Sequence, residues 1–171
     1  MPKRLRSLLL ALALAATLAG VCTTSAAARL EGPGPPRRAL PPPKPTPTMG
    51  QRAAKLALRA VGVPYAWGGA SPASGFDCSG LVHWAYKRLG VELPHSSYAL
   101  YNLGRRVRPS RLKPGDLVFF SGLGHVGMYL GRGRMVHAPF SGRRVEVVRL
   151  KSSYYARNLV GARRVAAGRA A

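Results

Sequence analysis

Apolar positions follow three different patterns along the chain. A continuous run from Leu8 to Val21, broken only by small residues, comes first, and a stretch almost without apolar side chains follows it. Only after Met49 does periodicity appear. Ala53, Ala54, Leu56, Ala57, Ala60 and Val61 recur at helical spacing, and Gly62-Val63-Pro64 ends that helix. Trp67 to Pro72 reads as a loop. Asp77 then stands where a helix N-cap would, with Leu81, Val82, Ala85 and Leu89 on one helical face and Gly90 at the stop, so Cys78 falls in the first turn. A shorter helix is expected from Ser97 to Leu103. After Lys113-Pro114-Gly115 the pattern becomes that of strands: Leu117 to Phe120, Val126 to Leu130, Arg134 to Ala138, Val145 to Val148, and a last one from Leu159 to Val165. The turns Ser121 to Gly124, Gly131-Arg132-Gly133 and Ser141-Gly142 are short enough for antiparallel pairing. Helices followed by a run of strands predict an α+β domain with helices packed on an antiparallel sheet.

The first apolar run follows Lys3, Arg4 and Arg6 and leads to Ala26-Ala27-Ala28, a small-residue cleavage site, so residues 1–28 read as a secretory signal peptide. The run is short for a membrane span, which needs about 20 residues. The mature chain is therefore expected to be exported, to the periplasm or to the medium and cell wall, without a transmembrane span. Leu18-Ala19-Gly20-Val21-Cys22 resembles a lipoprotein signal, but Val21 occupies a position that calls for a small residue, which argues against lipidation at Cys22. Residues 29–48 form a linker: between Gly32 and Thr48, eight of seventeen residues are proline, a composition that stays extended and builds no core. A single folded domain, 49–171, is what the length allows.

Composition adds an extreme charge. The chain carries 27 Lys and Arg against 5 Asp and Glu, and loss of Lys3, Arg4 and Arg6 with the leader leaves a net +19. Such a surface is drawn to polyanions, which outside the cytoplasm means anionic envelope polymers or lipid head groups. The arginine pairs are scattered without interleaved aromatics, so no specific nucleic-acid partner is expected.

Once Cys22 leaves with the leader, Cys78 is the only cysteine. Exported proteins usually pair theirs, so an odd thiol points to a working group or an intermolecular bond, with an inert buried cysteine as the plain alternative. A helix N-terminus favours a thiolate, and a neighbouring histidine would lower the thiol pKa further. Two strands joined at Gly131-Arg132-Gly133 run antiparallel with paired positions summing to about 262 to 264, which makes His125 and His137 neighbours. Nucleophilic catalysis follows: Cys78 attacks a carbonyl, His125 moves the proton, and His137 orients His125. The Cys78 backbone N–H and the Tyr65 hydroxyl are candidate oxyanion donors. One cysteine and two histidines also suit zinc, but the helix-start thiol favours nucleophilic chemistry, and neither a metal nor a cofactor is assigned. Asp116, His83, His95, Trp67, Trp84 and Tyr86 are read as turn, surface or packing residues.

Several segments, in order, resemble the NlpC-type cell-wall peptidases, a family of papain-like cysteine hydrolases. They are Val63-Pro64-Tyr65-Ala66-Trp67-Gly68-Gly69, Phe76-Asp77-Cys78-Ser79-Gly80-Leu81-Val82, Pro114-Gly115-Asp116-Leu117-Val118-Phe119-Phe120, His125 to Gly131, and Met135-Val136-His137-Ala138. The resemblance covers nearly all of Met49 to Val165. It implies a papain-like fold and hydrolysis of peptidoglycan stem peptides, typically between γ-D-glutamate and a diamino acid. It places Cys78, His125 and His137 at the triad positions and Tyr65 beside the nucleophile, and it implies that Asp77, Ser79 and Ser97 bind a free L-alanine amine. Where the family often has Leu-Pro-Arg and a later glutamine, this chain has Leu93-Pro94-His95 and Leu100. A catalytically silent wall-binding module, and an amidase or acyl transferase on the same scaffold, are the alternative readings.

Overall fold

The computed structural model describes residues 45–165. The expected signal peptide, Cys22 and most of the proline-rich segment lie outside the described residues. Among the described residues no helix is long and apolar enough to cross a membrane.

Helix α1 (Met49–Arg59) begins at a reciprocal cap, with Thr48 Oγ1 accepting from Gln51 N and Gln51 Oε1 accepting from Thr48 N. A hairpin of two-residue strands follows, with β1 (Ala70–Ser71) inside the expected Trp67–Pro72 loop and β2 (Gly75–Phe76) just beyond it. Helix α2 (Cys78–Lys87) and the short α3 (Ser97–Tyr101) match expectation, except that α3 ends two residues early. The strands are β3 (Arg105–Arg106), β4 (Leu117–Phe120), β5 (His125–Gly131), β6 (Arg134–His137), β7 (Glu146–Arg149) and β8 (Leu159–Arg164). A helix, α4 (Ser153–Asn158), precedes β8. Strands β3 to β8 form one antiparallel sheet in the order β3-β8-β4-β5-β6-β7. The chain thus has an α+β, papain-like fold, with the helix that carries Cys78 packed on an antiparallel sheet.

Side chains alternate across a strand, so each strand contributes to two layers. On one face Leu117, Phe119, Val126, Met128 and Val136 meet α1 through Ala53, Ala54 and Ala57, and α2 through Leu81, Val82, Ala85 and Tyr86. On the other face Val118, Phe120, Met135 and Ala162 are covered by Leu150, Tyr155 and Leu159. Strand β4 is buried on both sides, which is why it reads as an unbroken apolar run. Each such buried side chain contributes about 1.5–3 kcal/mol. The buried Asp116 accepts from Lys113 N at 2.7 Å and from Arg164 Nε and Nη2 at 2.5 and 2.6 Å, tying the start of β4 to the end of β8.

The first turn of α2 lies against the loop before β1. A side chain on Gly80 would overlap the Gly69 carbonyl oxygen, a backbone atom that cannot step aside. Gly80→Ala is therefore expected to destabilise the domain by about 1–3 kcal/mol, read as a fall of several degrees in the thermal midpoint. An unchanged midpoint would show that the loop is not held against the helix.

Candidate active site

Cys78 is presented by a capped helix start. Asp77 has extended backbone angles, and its Oδ1 accepts from Gly80 N at 2.7 Å. The residues on either side of His125 both act on the sulfur: the thiol donates to Gly124 O at 3.8 Å, and the Val126 N–H favours the thiolate. Burial pushes the Cys78 thiol above its ordinary value, and the charge of Asp77 acts in the same sense. The N–H groups of Val126, Ser79 and Cys78 offset this only in part. This corrects the expectation of a lowered thiol pKa: the helix terminus and the neighbouring histidine are present, but removal from water outweighs them.

The two histidines meet as the turn predicts. Met128 faces Val136 and Tyr129 faces Met135, positions that sum to 264, the upper end of the expected range. His125 and His137 thereby share one face of the sheet, and His125 Nε2 lies 2.9 Å from His137 Nδ1. Gly127, between β5's inward groups, has no side chain to crowd Met135 Sδ, 2.6 Å from where its Cβ would be. Phe120 and Tyr155 wall the pair, with Phe120 tilted against His125 and Tyr155 edge-on to His137. Burial pushes His125 down to about 4, and burial with the charges of His125 and Arg143 pushes His137 down to about 3. Both rings are neutral at pH 7, so Cys78 and His125 rest as thiol and imidazole.

Tyr65, Asp77, Cys78, Ser79, Ser97 and His125 line one cleft of about 500 Å³, and the fully buried His137 stands behind His125. Burial, then the charges of Cys78 and Asp77, raise the Tyr65 pKa, so its hydroxyl stays a donor. Asp77 is occupied by its surroundings: Oδ1 accepts from Ser79 Oγ at 3.1 Å as well as from Gly80, and Oδ2 accepts from Gly68 N at 2.9 Å. His95 Nε2 sits 2.9 and 3.0 Å from the two oxygens. Burial raises the Asp77 pKa, but the Gly80 N–H, His95 and Ser79 together outweigh it, and the carboxyl titrates below its ordinary value.

Two residues need correction. His95, by sequence an ordinary surface or core residue, lines the cleft and braces Asp77; its place where the resemblance puts arginine is the signal for this. Trp67 was read as packing, yet it is 89 % exposed at the cleft. Leu100 is fully buried in the core. Among the described residues no three His, Cys, Asp or Glu side chains converge as a metal cage.

Residues 62–164 match the model of the NlpC/P60 family. The chain is 42 % identical over 127 residues to the murein DD-endopeptidase MepH of Escherichia coli (strain K12), covering 67 % of this chain and 47 % of that protein. It is 41 % identical over 110 residues to the gamma-DL-glutamyl hydrolase of Bacillus subtilis (strain 168), covering 61 % of this chain and 26 % of that one. The chain thus spans less than half the length of these curated relatives. Among solved structures, an NlpC/P60 family protein from Bacillus cereus superposes with a TM-score of 0.64 at 39 % identity, covering 70 % of this chain and 41 % of that one.

The raised thiol value sets a measurable profile. The rate of Cys78 alkylation by iodoacetamide is expected to keep rising with pH up to and beyond about 9, because only the thiolate attacks. A plateau already reached at pH 5 to 6 would mean a preformed thiolate–imidazolium pair instead.

Proposed function

The chain belongs to the NlpC/P60 family, and from that premise we propose that it is an exported cysteine peptidase that hydrolyses the stem peptides of peptidoglycan. The observation that carries this reading is the union of Cys78 and His125 in one cleft, with His137 bonded to the far nitrogen of His125. His125 spends Nε2 on His137, which leaves Nδ1 for the thiol. The Cys78 sulfur attacks the amide carbonyl carbon while its proton passes to His125 Nδ1. The Cys78 N–H and the Tyr65 hydroxyl receive the oxyanion. Collapse breaks the C–N bond as His125 returns the proton to the departing amine, leaving a thioester. Water, deprotonated by His125, then attacks the thioester carbonyl, releasing the carboxylic acid and restoring the thiol.

The bond we propose is that between γ-D-glutamate and a diamino acid. Its selection falls to the cleft rim, since the triad acts on any amide presented to it. Asp77, Ser79 and Ser97 are proposed to recognise a free L-alanine amine. Asp77 already receives Gly68, Gly80, Ser79 and His95, so its part in that recognition is to contribute charge and to hold Ser79 in place.

Digestion of defined stem peptides, with and without a free N-terminal L-alanine, followed by mass spectrometry of the products, tests this reading. Release of γ-D-glutamyl fragments by the wild-type chain is expected, with loss of at least about 10³-fold in Cys78→Ala and His125→Ala. Undiminished digestion by Cys78→Ala would sink the mechanism. Binding of sacculi without any release would favour the silent wall-binding module.

We further propose electrostatic retention in the envelope. Each described carboxylate already faces a base: Asp77 meets His95, Glu92 meets Lys87, Asp116 meets Arg164 and Glu146 meets Arg143. Among the described residues, the remaining cations have no carboxylate left to meet. Arg105, Arg106, Arg108, Arg111 and Lys113 line a groove at the exposed edge strand β3. Binding to an anionic wall polymer is expected to weaken by more than about tenfold between 50 and 500 mM salt, and Arg105→Glu with Arg106→Glu is expected to lower it at low salt. Salt-independent binding would argue against this mode of retention.

A further inference from the structure

The triad ends on a histidine whose outer nitrogen has two neighbours of different chemistry. His137 Nε2 lies 3.3 Å from Tyr155 Oη and 3.7 Å from Glu146 Oε1. Neither neighbour has a part in the mechanism above. Glu146 is fixed there twice: β6 pairs with β7 so that His137 and Glu146 are direct partners, and Arg143 Nη2 donates to Glu146 Oε2 at 2.6 Å, leaving Oε1 for His137. Tyr155 comes from α4 and packs edge-on against both Phe120 and His137.

A neutral imidazole carries one proton, so a hydrogen bond between two neutral rings has two self-consistent arrangements. In the first, His137 holds its proton on Nδ1 and donates to His125 Nε2. His125 must then carry its own proton on Nδ1, the atom that has to accept from the thiol, and no base is left. In the second, His137 holds its proton on Nε2, its Nδ1 accepts from His125 Nε2–H, and His125 Nδ1 is a free lone pair. The Tyr155 hydroxyl fits either arrangement, because it can donate to a bare Nε2 or accept from Nε2–H. A carboxylate only accepts, and at 3.7 Å its charge favours a proton on the nitrogen that faces it, so Glu146 favours the second.

We propose that Glu146, with Tyr155, is a positioning residue that holds His137 as its Nε2–H tautomer and thereby keeps His125 Nδ1 unprotonated and able to accept the Cys78 proton. This rests on the reading of Cys78 and His125 as nucleophile and base. Glu146 has a second effect in the same arrangement. When His125 becomes an imidazolium, the new positive charge sits one ring away from a carboxylate, across a hydrogen bond already in line. Burial, with the charge of Glu146, pushes the Tyr155 pKa up to about 12, so the phenol keeps its proton throughout.

Nitrogen-15 NMR of the full chain tests the assignment without recourse to activity, because long-range proton–nitrogen correlations separate a protonated ring nitrogen from a bare one. The wild-type His137 ring is expected to show Nε2 protonated and Nδ1 bare, and Tyr155→Phe is expected to keep that pattern because Glu146 remains. In Glu146→Ala, Tyr155 is the partner left to Nε2 among the described residues and can donate; the ring is expected to move toward the Nδ1–H form. Turnover of stem peptide should then fall by about tenfold or more, as expected when a base is held in the wrong tautomer, with KM changed less than twofold. Nδ1–H in the wild-type ring would overturn the proposal even if no variant folded. So would an unchanged ring in folded Glu146→Ala. A wild-type ring with Nε2–H in a chain that cleaves no peptide would leave the tautomer assignment standing and remove the peptidase reading.

Discussion

The register of β5 against β6 governs the rest of the site, because it decides which side chains share a face and therefore whether a proton has anywhere to go. With Met128 opposite Val136, His125 and His137 stand on the same side of the sheet at hydrogen-bonding distance. A slip of one residue would turn His137 toward the helical layer and Val136 into its place, since side chains alternate along a strand. The register is held from both faces at once. Val126, Met128 and Val136 are committed to the layer under α1 and α2, while Met135 and Phe120 are committed to the opposite layer. The apolar packing that makes the domain stable is thus the same packing that aligns the two imidazoles.

That packing also decides the protonation of the resting site. A helix terminus and a nearby base favour a thiolate, but each acts through partial charges or a single contact, whereas desolvation acts on the whole charged group. In this cleft burial is the largest influence on Cys78, His125 and His137 alike, and it disfavours ions in every case. A thiol and imidazole at rest place the cost of charge separation in the chemical step. In the proposed reaction, fixed dipoles at Tyr65 and the Cys78 N–H, together with Glu146 beyond His137, are then of most use when the charges develop, which is when stabilisation accelerates a reaction.

Much of this was legible in the order of residues, and the parts that were not share a cause. Cys78 at a helix start followed from Asp77 and the apolar face of Leu81, Val82 and Ala85; the histidine pair followed from one short turn. Both depend on local periodicity. The hairpin β1–β2 has two residues per strand and no period to detect. Helix α4, Ser153–Asn158, buries no residue fully and has no apolar stripe, so Tyr155 gave no sign that it would reach His137. The exposure of Trp67, the contact of His95 with Asp77 and the depth of the thiol are properties of how separate segments come together, and no local pattern encodes them.

Those tertiary details bear most on which bond the proposed peptidase would cut. A nucleophile, a base and oxyanion donors recognise the amide group itself and are indifferent to the configuration of the residues on either side of it. Discrimination has to come from groups that touch those residues, which here means the rim of the cleft. On that rim Trp67 projects an exposed indole and Tyr98 a half-exposed phenol, each able to cover an apolar face of a substrate. In the same cleft, the carboxylate of Asp77 is braced by His95 rather than by an arginine fork. An imidazole reaches both oxygens through one nitrogen, whereas a guanidinium would engage them with two donors in a fixed plane. The loop from Leu93 to Ser97 is therefore tied to the helix that carries Cys78 by two rings, His95 on Asp77 and His83, whose Nδ1 lies 2.6 Å from Leu93 O. The contacts that seat this rim, through His83 and His95, are separate from the one that joins His125 to His137, so in the proposed peptidase the rim and the reacting pair are set by different residues.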